Sequence, residues 1–166
     1  MGFKIGFSYD VHQLVENRPL VLGGVEIEHQ FGLLGHSDAD CLIHAIAEAI
    51  IGALGLGDLG KHFSDQDSKY KDINSTYFLF EVKKMLKNEN YRISNIDSTI
   101  NIEKPHIAKY IPKMQEVIAK CLEINPSLVN IKATRGEGLG FVGGQEGVAC
   151  YAVVLIEKIE SKIIKI

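Results

Sequence analysis

Apolar and polar residues alternate along the chain with two different periods, which predicts both strands and helices. A period of two, or a short apolar run, marks extended segments at residues 4–8, 18–27, 91–102, 129–134 and 148–157. Apolar residues three or four positions apart mark helices at residues 38–54, 75–87 and 106–124. Ser75 is placed to cap the second helix, and Asn125-Pro126 is placed to end the third.

The order of these segments predicts the fold class. Two strands, two helices, a strand, a helix and two strands favour one α/β (α+β) domain over residues 1–166. We expect a mixed four-stranded sheet with helices on one face. Val148 to Ile156 is almost continuously apolar, so we expect this strand to be covered on both faces, by a helix or by another subunit's sheet.

Composition narrows the class of protein. The 166 residues are 46% hydrophobic and 23% charged, which is typical of a soluble globular domain. A net charge of −3 argues against a general nucleic-acid binder. No apolar run is long enough for a membrane span, and no secretion leader is recognisable. We therefore expect a cytoplasmic bacterial protein, or an organelle (stromal) protein that has lost a transit peptide.

The cysteines point to a reducing compartment. Cys41, Cys121 and Cys150 are odd in number, widely spaced and surrounded by apolar residues. Buried free thiols explain this pattern better than disulfides or a structural zinc site.

The first candidate for chemistry is Asp10-Val11-His12, which follows the first apolar strand. Residues i and i+2 of a strand point to the same side, so Asp10 and His12 project together. They form either a hydrogen-bonded pair at a strand end or two ligands of one metal ion. A motif this short is more often structural, and the choice depends on a third ligand.

The predicted helix at residues 38–54 offers that third ligand. Asp40, His44 and Glu48 are spaced i, i+4, i+8 and form a polar stripe, and no Lys or Arg lies between His36 and Lys61. If His44 joins the earlier pair, two imidazoles and one carboxylate form the ligand set of a catalytic zinc site. Alternatively, Asp40 or Glu48 orients an imidazole, or His44 is simply a polar surface residue.

Six segments, taken together, resemble a known family. They are, in order, DVH, GLLGHSDAD followed by HA, GLGDLGKHFSDQD, IKAT, GEGLGF and EGVAC. In order and spacing they are similar to the 2-C-methyl-D-erythritol 2,4-cyclodiphosphate synthase family, over residues 4–157. The pair HSDAD and GDLGKHFSD is the most specific part of this resemblance.

The resemblance implies a lyase of non-mevalonate isoprenoid (terpenoid) biosynthesis. In such an enzyme the 2-phosphate of 4-diphosphocytidyl-2-C-methyl-D-erythritol 2-phosphate attacks the β-phosphorus, and CMP leaves. The implied assembly is a homotrimer with active sites between subunits, whose sheets face a central axis. The implied partner is this small cytidine diphosphate substrate, with neither nucleic acid nor membrane involved.

The resemblance also implies metals and catalytic residues. Zinc, or another divalent ion, is expected at Asp10, His12 and His44. A second ion, magnesium or manganese, is expected with the substrate diphosphate, within reach of Glu137. The residues implied to act on the reacting phosphates are His36, Arg135 and Glu137.

Two further sets of residues are implied to bind the substrate. Those expected around the methylerythritol and its phosphates are Asp10, His12, His36, Ser37, Asp58, Leu59, Gly60, Phe63, Ser64, Asp65, Gln66 and Asp67. Those expected around the nucleotide are Ile102, Glu103, Lys104, Pro105, His106, Ala108, Ala133, Thr134, Arg135, Glu137 and Phe141. Some of these have simpler alternatives. Gly55 to Gly60 could be a flexible connector, Phe63 could anchor its loop in the core, and His106 could be a surface residue at a helix start.

The chain departs from the family pattern in four places. Arg135 stands where a second threonine is usual, and we hypothesise that its guanidinium contacts phosphate. Gly138 stands where lysine is usual, and His106 stands where lysine is common. Gly144-Gln145 replaces an arginine near the implied trimer axis, which removes a charge expected to hold an isoprenoid diphosphate there.

The residues leave two other functions open and exclude a third. A zinc-dependent phosphoester hydrolase would need Asp40 or Glu48 as a base on metal-bound water. A non-catalytic trimeric homologue would bind CDP and metal without turnover. A dinucleotide site at the G-x-G-x-x-G of residues 138–143 is excluded, because a predicted strand follows where a helix is required.

Overall fold

The main sheet is built around two long paired strands, at residues 3–16 and 147–158. In a computed structural model, which describes residues 2–64 and 66–159, five strands pair in the order β4-β1-β7-β5-β6. They are β1 (Phe3–Glu16), β4 (Phe31–Leu33), β5 (Tyr91–Asn101), β6 (Val129–Thr134) and β7 (Gly147–Lys158). The strands β2 (Leu20–Leu22) and β3 (Val25–Ile27) form a separate two-stranded sheet.

The sheet is mixed, as predicted. β1 pairs with β7 and β4, and β7 pairs with β5, all antiparallel. β5 and β6 are parallel, so the chain must cross over between them. The register of β1 and β7 places Asp10 opposite Cys150 and His12 opposite Val148.

The predicted number of strands in the main sheet is wrong, because this sheet has five strands where we expected four. The additional strand, β4, pairs with the far end of β1 through Leu14↔Leu33 and Glu16↔Phe31. Three residues are too few to show a period of two. The predicted strand at residues 4–8 also continues to Glu16, so Asp10 and His12 lie within β1 and not beyond its end.

Three helices of more than ten residues pack on one face of the sheet. They are α1 (Cys41–Leu54), α3 (Thr76–Asn88) and α4 (Ile111–Leu122). The short helices are α2 (Leu59–His62) and α5 (Gly140–Gly143), and single 3-10 turns occupy Ser68–Tyr70, Ala108–Tyr110 and Pro126–Leu128. None of the described helices combines the length and apolar character needed to cross a bilayer.

Two predicted helix starts are corrected. α1 begins at Cys41 because Asp40 caps it, accepting from the Ile43 N–H at 3.0 Å. α4 begins at Ile111, five residues after the predicted start, since residues 102–107 form a loop.

Helix α1 is the centre of the core. It packs on β1 and β7 on one side and on α3 on another, so almost all its side chains are buried. Gly6 permits the closest approach of β1, since a Cβ at Gly6 would lie 1.8 Å from the Ala49 carbonyl oxygen. All three cysteines, Cys41, Cys121 and Cys150, belong to the hydrophobic core and are buried free thiols, as predicted.

The other face of the sheet carries large apolar side chains that the single chain leaves exposed. They are Phe3, Ile5, Phe7, Tyr9 and Val11 on β1, and Tyr151 and Val153 on β7. Ile5 is 71% exposed and Val153 is 41% exposed. Within one chain, therefore, β7 is covered on one face only, and its cover by another subunit stays a prediction.

Candidate active site

Strand β1 and helix α1 bring Asp10, His12 and His44 together. Asp10 Oδ2 lies 3.0 Å from His12 Nε2 and 3.3 Å from His44 Nδ1. The two ring nitrogens lie 3.1 Å apart. The side chains are only 28%, 18% and 12% exposed, respectively, so the group is partly shielded from water. We call these three residues the trio.

The three distances suit a metal centre. In a tetrahedral zinc site with metal–ligand distances of about 2.0–2.1 Å, neighbouring ligand atoms lie about 3.3 Å apart. The trio has edges of 3.0, 3.1 and 3.3 Å, so its atoms already form one face of such a tetrahedron. Asp10, His12 and His44 are also the group of residues that could jointly hold a metal ion in the described part of the chain.

The hydrogen bonds behind the trio direct lone pairs to its centre. His12 Nδ1 lies 2.8 Å from the Leu34 carbonyl oxygen and must donate to it, which leaves Nε2 without a proton in a neutral ring. His44 Nε2 lies 2.9 Å from Ser75 Oγ, on the side of the ring away from Asp10. Asp10 Oδ2 is buried and faces the two ring nitrogens at 3.0 and 3.3 Å, so it receives a hydrogen bond only when an imidazole carries a proton on that side. The centre of the trio therefore favours a cation.

The ionisation of the trio leads to the same conclusion. Burial acts to raise the pKa of Asp10, but its pairing with His12 and His44 outweighs burial and holds that pKa well below the usual range. Burial acts to lower the pKa of His12, but the carboxylate of Asp10 raises it above the ordinary 6.5. A proton on an imidazole or a bound metal ion would supply the missing positive charge.

The structure assigns Asp40 a structural role. It is fully buried and accepts from the backbone N–H groups of Gly23 at 2.9 Å, Gly24 at 2.6 Å and Ile43 at 3.0 Å. Burial raises the pKa of Asp40 to about 6, even with these three donors. The hypotheses that Asp40 orients an imidazole or activates water are wrong, because its oxygens are directed to the backbone.

Glu48 remains at the site but does not orient an imidazole. Its Oε1 accepts from Ser8 Oγ at 3.1 Å, and its Oε2 accepts from the Leu59 N–H at 3.3 Å. Glu48 therefore ties α1 to β1 and to the start of α2.

A cavity of about 500 Å³ opens beside the trio. Its walls are His12, Gly35, His36, Ser37, His44, Glu48, Leu59, Gly60, Phe63, Ser64, Tyr70 and Phe78. We call it the metal-side cavity. Six predicted substrate residues outside the trio line it, namely His36, Ser37, Leu59, Gly60, Phe63 and Ser64.

Other predicted substrate residues lie outside this cavity. Asp58 is exposed and caps α2, accepting from the Lys61 N–H at 2.8 Å. Asp67 pairs with Lys69 at 2.8 Å, and Gln66 is exposed. Asp65 falls outside the described residues. Contact of these four side chains with substrate stays a prediction.

Aromatic side chains form one wall of the metal-side cavity, and the sequence pattern predicted only one of them, Phe63. Phe63 packs against Phe78 with ring centroids 5.0 Å apart and edge-on against Tyr70 at 5.7 Å. Phe63 thus both anchors its loop and lines the cavity. Tyr70 and Phe78 belong to separate elements, and no local pattern marks them as neighbours of Phe63.

A second cavity of about 350 Å³ lies where the parallel strands β5 and β6 end. Its walls are Ile102, Glu103, Pro105, His106, Ile107, Ala108, Ala133, Thr134, Arg135 and Glu137. We call it the strand-end cavity. Nine of the predicted nucleotide residues line it; Lys104 and Phe141 do not, and Ile107 was not predicted. Glu103 joins its two loops by accepting from the Gly136 N–H at 3.0 Å.

Arg135 and Glu137 face each other at the rim of the strand-end cavity. Arg135 Nη2 lies 3.1 Å from Glu137 Oε1, and the two side chains are 48% and 72% exposed. Glu137 has a positive φ of 52°, a conformation that non-glycine residues seldom adopt. His36, the other predicted catalytic residue, lies in the metal-side cavity, and the two cavities share no lining residue.

The sequence is similar to those of known proteins. Residues 3–157 match the YgbB family. A curated relative from Syntrophomonas wolfei, named 2-C-methyl-D-erythritol 2,4-cyclodiphosphate synthase, is 54% identical over 155 residues, covering 93% of this chain and 99% of the relative.

Solved structures share the fold. The bifunctional IspDF from Campylobacter jejuni superimposes with a TM-score of 0.92 and 37% identity over 96% of this chain. This chain spans 43% of that longer one. IspF from Plasmodium falciparum, solved as a CDP complex, superimposes with a TM-score of 0.85 and 31% identity, covering 96% of this chain and 98% of that one.

Proposed function

The chain belongs to the YgbB family, and on this premise we propose that it is a cyclodiphosphate synthase of isoprenoid precursor biosynthesis. As a phosphorus–oxygen lyase it converts 4-diphosphocytidyl-2-C-methyl-D-erythritol 2-phosphate to 2-C-methyl-D-erythritol 2,4-cyclodiphosphate and CMP. The observation that carries the proposal is the trio of Asp10, His12 and His44, which opens onto a cavity large enough for a phosphorylated sugar alcohol.

The reaction joins two anionic groups, and this sets the task for the protein. An oxygen of the 2-phosphate forms a bond to the β-phosphorus, and the bond from that phosphorus to the oxygen shared with the α-phosphate breaks. CMP leaves with that oxygen. Two unit charges about 4 Å apart repel by roughly 4 kcal/mol at an effective dielectric constant near 20. The site must offset this repulsion and hold the reacting atoms in line.

The residues of the metal-side cavity fit a divalent ion and a phosphate. Asp10, His12 and His44 would hold the ion, for which zinc suits two imidazoles and a carboxylate. When bound, such an ion would withdraw charge from phosphate oxygens. His36 and Ser37 line the same cavity and would orient the phosphate, and the aromatic wall at Phe63 would exclude water from the methylerythritol.

The strand-end cavity would bind the cytidine diphosphate. Its main-chain loops at residues 102–108 and 133–137 offer peptide groups for base and ribose recognition. Glu137 would reach a second ion, magnesium or manganese, carried by the diphosphate. The Plasmodium falciparum relative solved with CDP supports a cytidine nucleotide as the ligand of this fold.

We also propose a homotrimer with one site between each pair of neighbouring subunits. His36 and Glu137 are both expected at the reacting phosphates, yet they line separate cavities of one chain. A second subunit could bring its strand-end cavity to the metal-side cavity of the first. The exposed apolar side chains of β1 and β7 support an assembly in which three sheets face one axis.

Phosphorus NMR of the purified protein with zinc, magnesium and the cytidyl substrate tests the proposed function. We expect CMP to appear together with a cyclic diphosphate, and Asp10→Ala to abolish both signals. CMP with an acyclic product would identify a hydrolase. No turnover with tight CDP binding would identify a non-catalytic binding protein.

A further inference from the structure

Ser75 is a buried serine that does not cap the helix it precedes. It occupies the position before Thr76, where a serine was predicted to cap α3, but its side chain makes no capping bond. The Thr76 N–H instead donates to Asn74 Oδ1 at 2.9 Å. Ser75 is 0% exposed, so its hydroxyl must find its partners inside the protein. Those partners are His44 and Asp38.

The direction of each hydrogen bond follows from the chemistry of Asp38. An ionised carboxylate can only accept. Asp38 Oδ2 accepts from the Ser75 N–H at 3.0 Å, and Oδ1 accepts from the Ser75 hydroxyl and from the Asp40 N–H at 3.2 Å. Because the single hydroxyl proton is donated to Asp38, Ser75 Oγ is left as an acceptor. His44 Nε2, 2.9 Å away, must then be the donor.

From these contacts we propose that Ser75 and Asp38 are positioning residues that fix the tautomer of His44. A proton held on Nε2 leaves Nδ1 as a lone pair, and Nδ1 is the atom that faces Asp10 at 3.3 Å. We call Ser75 and Asp38 the relay. The relay therefore presents His44 ready to bind a metal ion. This inference rests on the metal site of the proposed function and adds the groups that prepare it.

Ser37 offers His44 Nε2 a second oxygen but cannot replace the relay. Its Oγ is 3.2 Å from Nε2, farther than that of Ser75, and it already accepts from the Ala39 N–H at 3.2 Å. No carboxylate takes the Ser37 proton in the described part of the chain. Ser37 can therefore donate into the cavity it lines, whereas Ser75 cannot.

The backbone around the relay keeps its members in place. The Asp38 N–H donates to the Ile73 carbonyl at 3.1 Å, and the Asp72 N–H donates to the His36 carbonyl at 2.8 Å. These bonds join the segment before α1 to the segment before α3. The relay thus links the two helices at the point where His44 meets Asp10 and His12.

Cobalt binding and the tautomer of His44 test the relay together. We would titrate Co²⁺ into the full chain and follow its absorption, for the wild type, Ser75→Ala, Ser75→Thr and Ser98→Ala. Ser98 is the matched control, a buried serine on β5 whose Oγ donates to the Asn130 carbonyl at 3.0 Å. We expect Ser75→Ala to weaken Co²⁺ binding about 10- to 100-fold, Ser75→Thr to restore most of it, and Ser98→Ala to change it less than about twofold.

Nitrogen-15 NMR of the metal-free protein above pH 8 reports the tautomer directly. The His44 signal would be assigned by its loss in His44→Gln. We expect the Nε2–H form in the wild type and a mixture with the Nδ1–H form in Ser75→Ala.

The outcomes separate the relay from the metal site. Wild-type protein that binds no Co²⁺ would overturn the proposed metal site itself. Normal wild-type binding, with Ser75→Ala unchanged in affinity and tautomer, would overturn the relay alone. Equal losses in Ser75→Ala and Ser98→Ala would also overturn it, because they would reflect general destabilisation.

Discussion

At the scale of single residues, the trio is prepared by atoms that lie outside it. His12 and His44 each use one ring nitrogen for a hydrogen bond to the surrounding protein and turn the other toward Asp10. An acceptor at the back of each ring therefore determines which nitrogen remains free. Asp10 contributes the charge that makes the centre attractive to a proton or a metal ion.

Competition between proton and metal at His12 predicts a pH dependence. Its pKa in the folded protein lies above the ordinary 6.5, so the stability contributed by its proton is full below about pH 6.5 and is lost as pH rises through the raised pKa. A metal ion needs the same lone pair. We expect Co²⁺ to raise the melting temperature little at pH 6 and more at pH 8, in thermal scans with and without the ion.

The control for this prediction is His12→Gln, in which Co²⁺ should have a small effect at both pH values. An effect of Co²⁺ on the wild-type melting temperature that does not change between pH 6 and pH 8 would contradict the competition.

Arg135 gives a second prediction at this scale. If its guanidinium leaves Glu137 to contact substrate phosphate, Arg135→Ala should lower kcat/KM about 10- to 100-fold, the range for one hydrogen bond to a charged group. Arg135→Thr should lose much less, because threonine keeps a donor. Arg92→Ala is the matched control, since Arg92 pairs with Glu157 on the sheet at 2.7 Å. Equal and small effects of both Arg135 variants would rule out the phosphate contact.

At the scale of elements, the trio depends on how closely β1 approaches α1. Two residues of the trio lie on the strand and one on the helix, so a change in the spacing of strand and helix alters both distances from His44. Gly6 permits this approach, because it has no side chain between the strand and the Ala49 carbonyl. Asp40 holds the start of α1 in place by joining it to Gly23 and Gly24, which lie between β2 and β3.

Gly6→Ala tests this spacing. The added methyl has no room, so we expect a loss of roughly 1–3 kcal/mol in the free energy of unfolding and weaker Co²⁺ binding. Gly52→Ala is the control within α1, where a Cβ meets nothing within 4 Å. It should stabilise the protein by about 0.5–1 kcal/mol and leave Co²⁺ binding unchanged. Denaturant titration and Co²⁺ absorption measure both, and a Gly6→Ala protein with normal stability would refute the argument.

At the scale of the whole molecule, one chain holds two separate cavities and an uncovered apolar sheet face. The cavities belong to different parts of the sheet, one where β1 meets α1 and the other at the ends of β5 and β6. Association through β1 and β7 would remove the apolar face from water. Both features are accounted for if subunits complete each other's sites.

Mixing two inactive variants tests shared sites. His44→Ala removes the metal half, and Glu137→Gln removes the nucleotide half. In trimers co-assembled from equal amounts, about one quarter of the interfaces would combine two intact halves. We therefore expect about a quarter of wild-type activity from the mixture and almost none from either variant alone. A mixture as inactive as its components would show that each site lies within one subunit.

Several features of the site follow from short stretches of sequence. The spacing of Asp10 and His12 predicts that they share a side of a strand, and the structure confirms this on β1. The loops at residues 102–108 and 133–137, assigned to the nucleotide by resemblance, do form one cavity. By contrast, a strand of three residues such as β4 has too few positions to show a period, so the strand count was underestimated.

Asp40 and Ser75 show why local pattern misassigns some residues. Asp40 shares a helical stripe with His44, which made it a candidate partner of an imidazole. Its carboxylate is instead directed to Gly23 and Gly24, 17 and 16 residues away in sequence. Ser75 has the residue type of a helix cap, but its hydroxyl donates to Asp38, 37 residues away. Such partners are chosen by packing between elements.

The sequence by itself determined the elements, the residues capable of chemistry and the family resemblance, because these depend on residue types and spacings along the chain. Only the tertiary structure decided that His44 meets Asp10 across 34 positions, that Ser75 contacts His44, and that the predicted binding residues are divided between two cavities. The physical reason is that a strand or helix specifies which side chains share a face. The neighbour against which that face packs is selected by burial, close approach at residues such as Gly6, and hydrogen bonding over the whole chain.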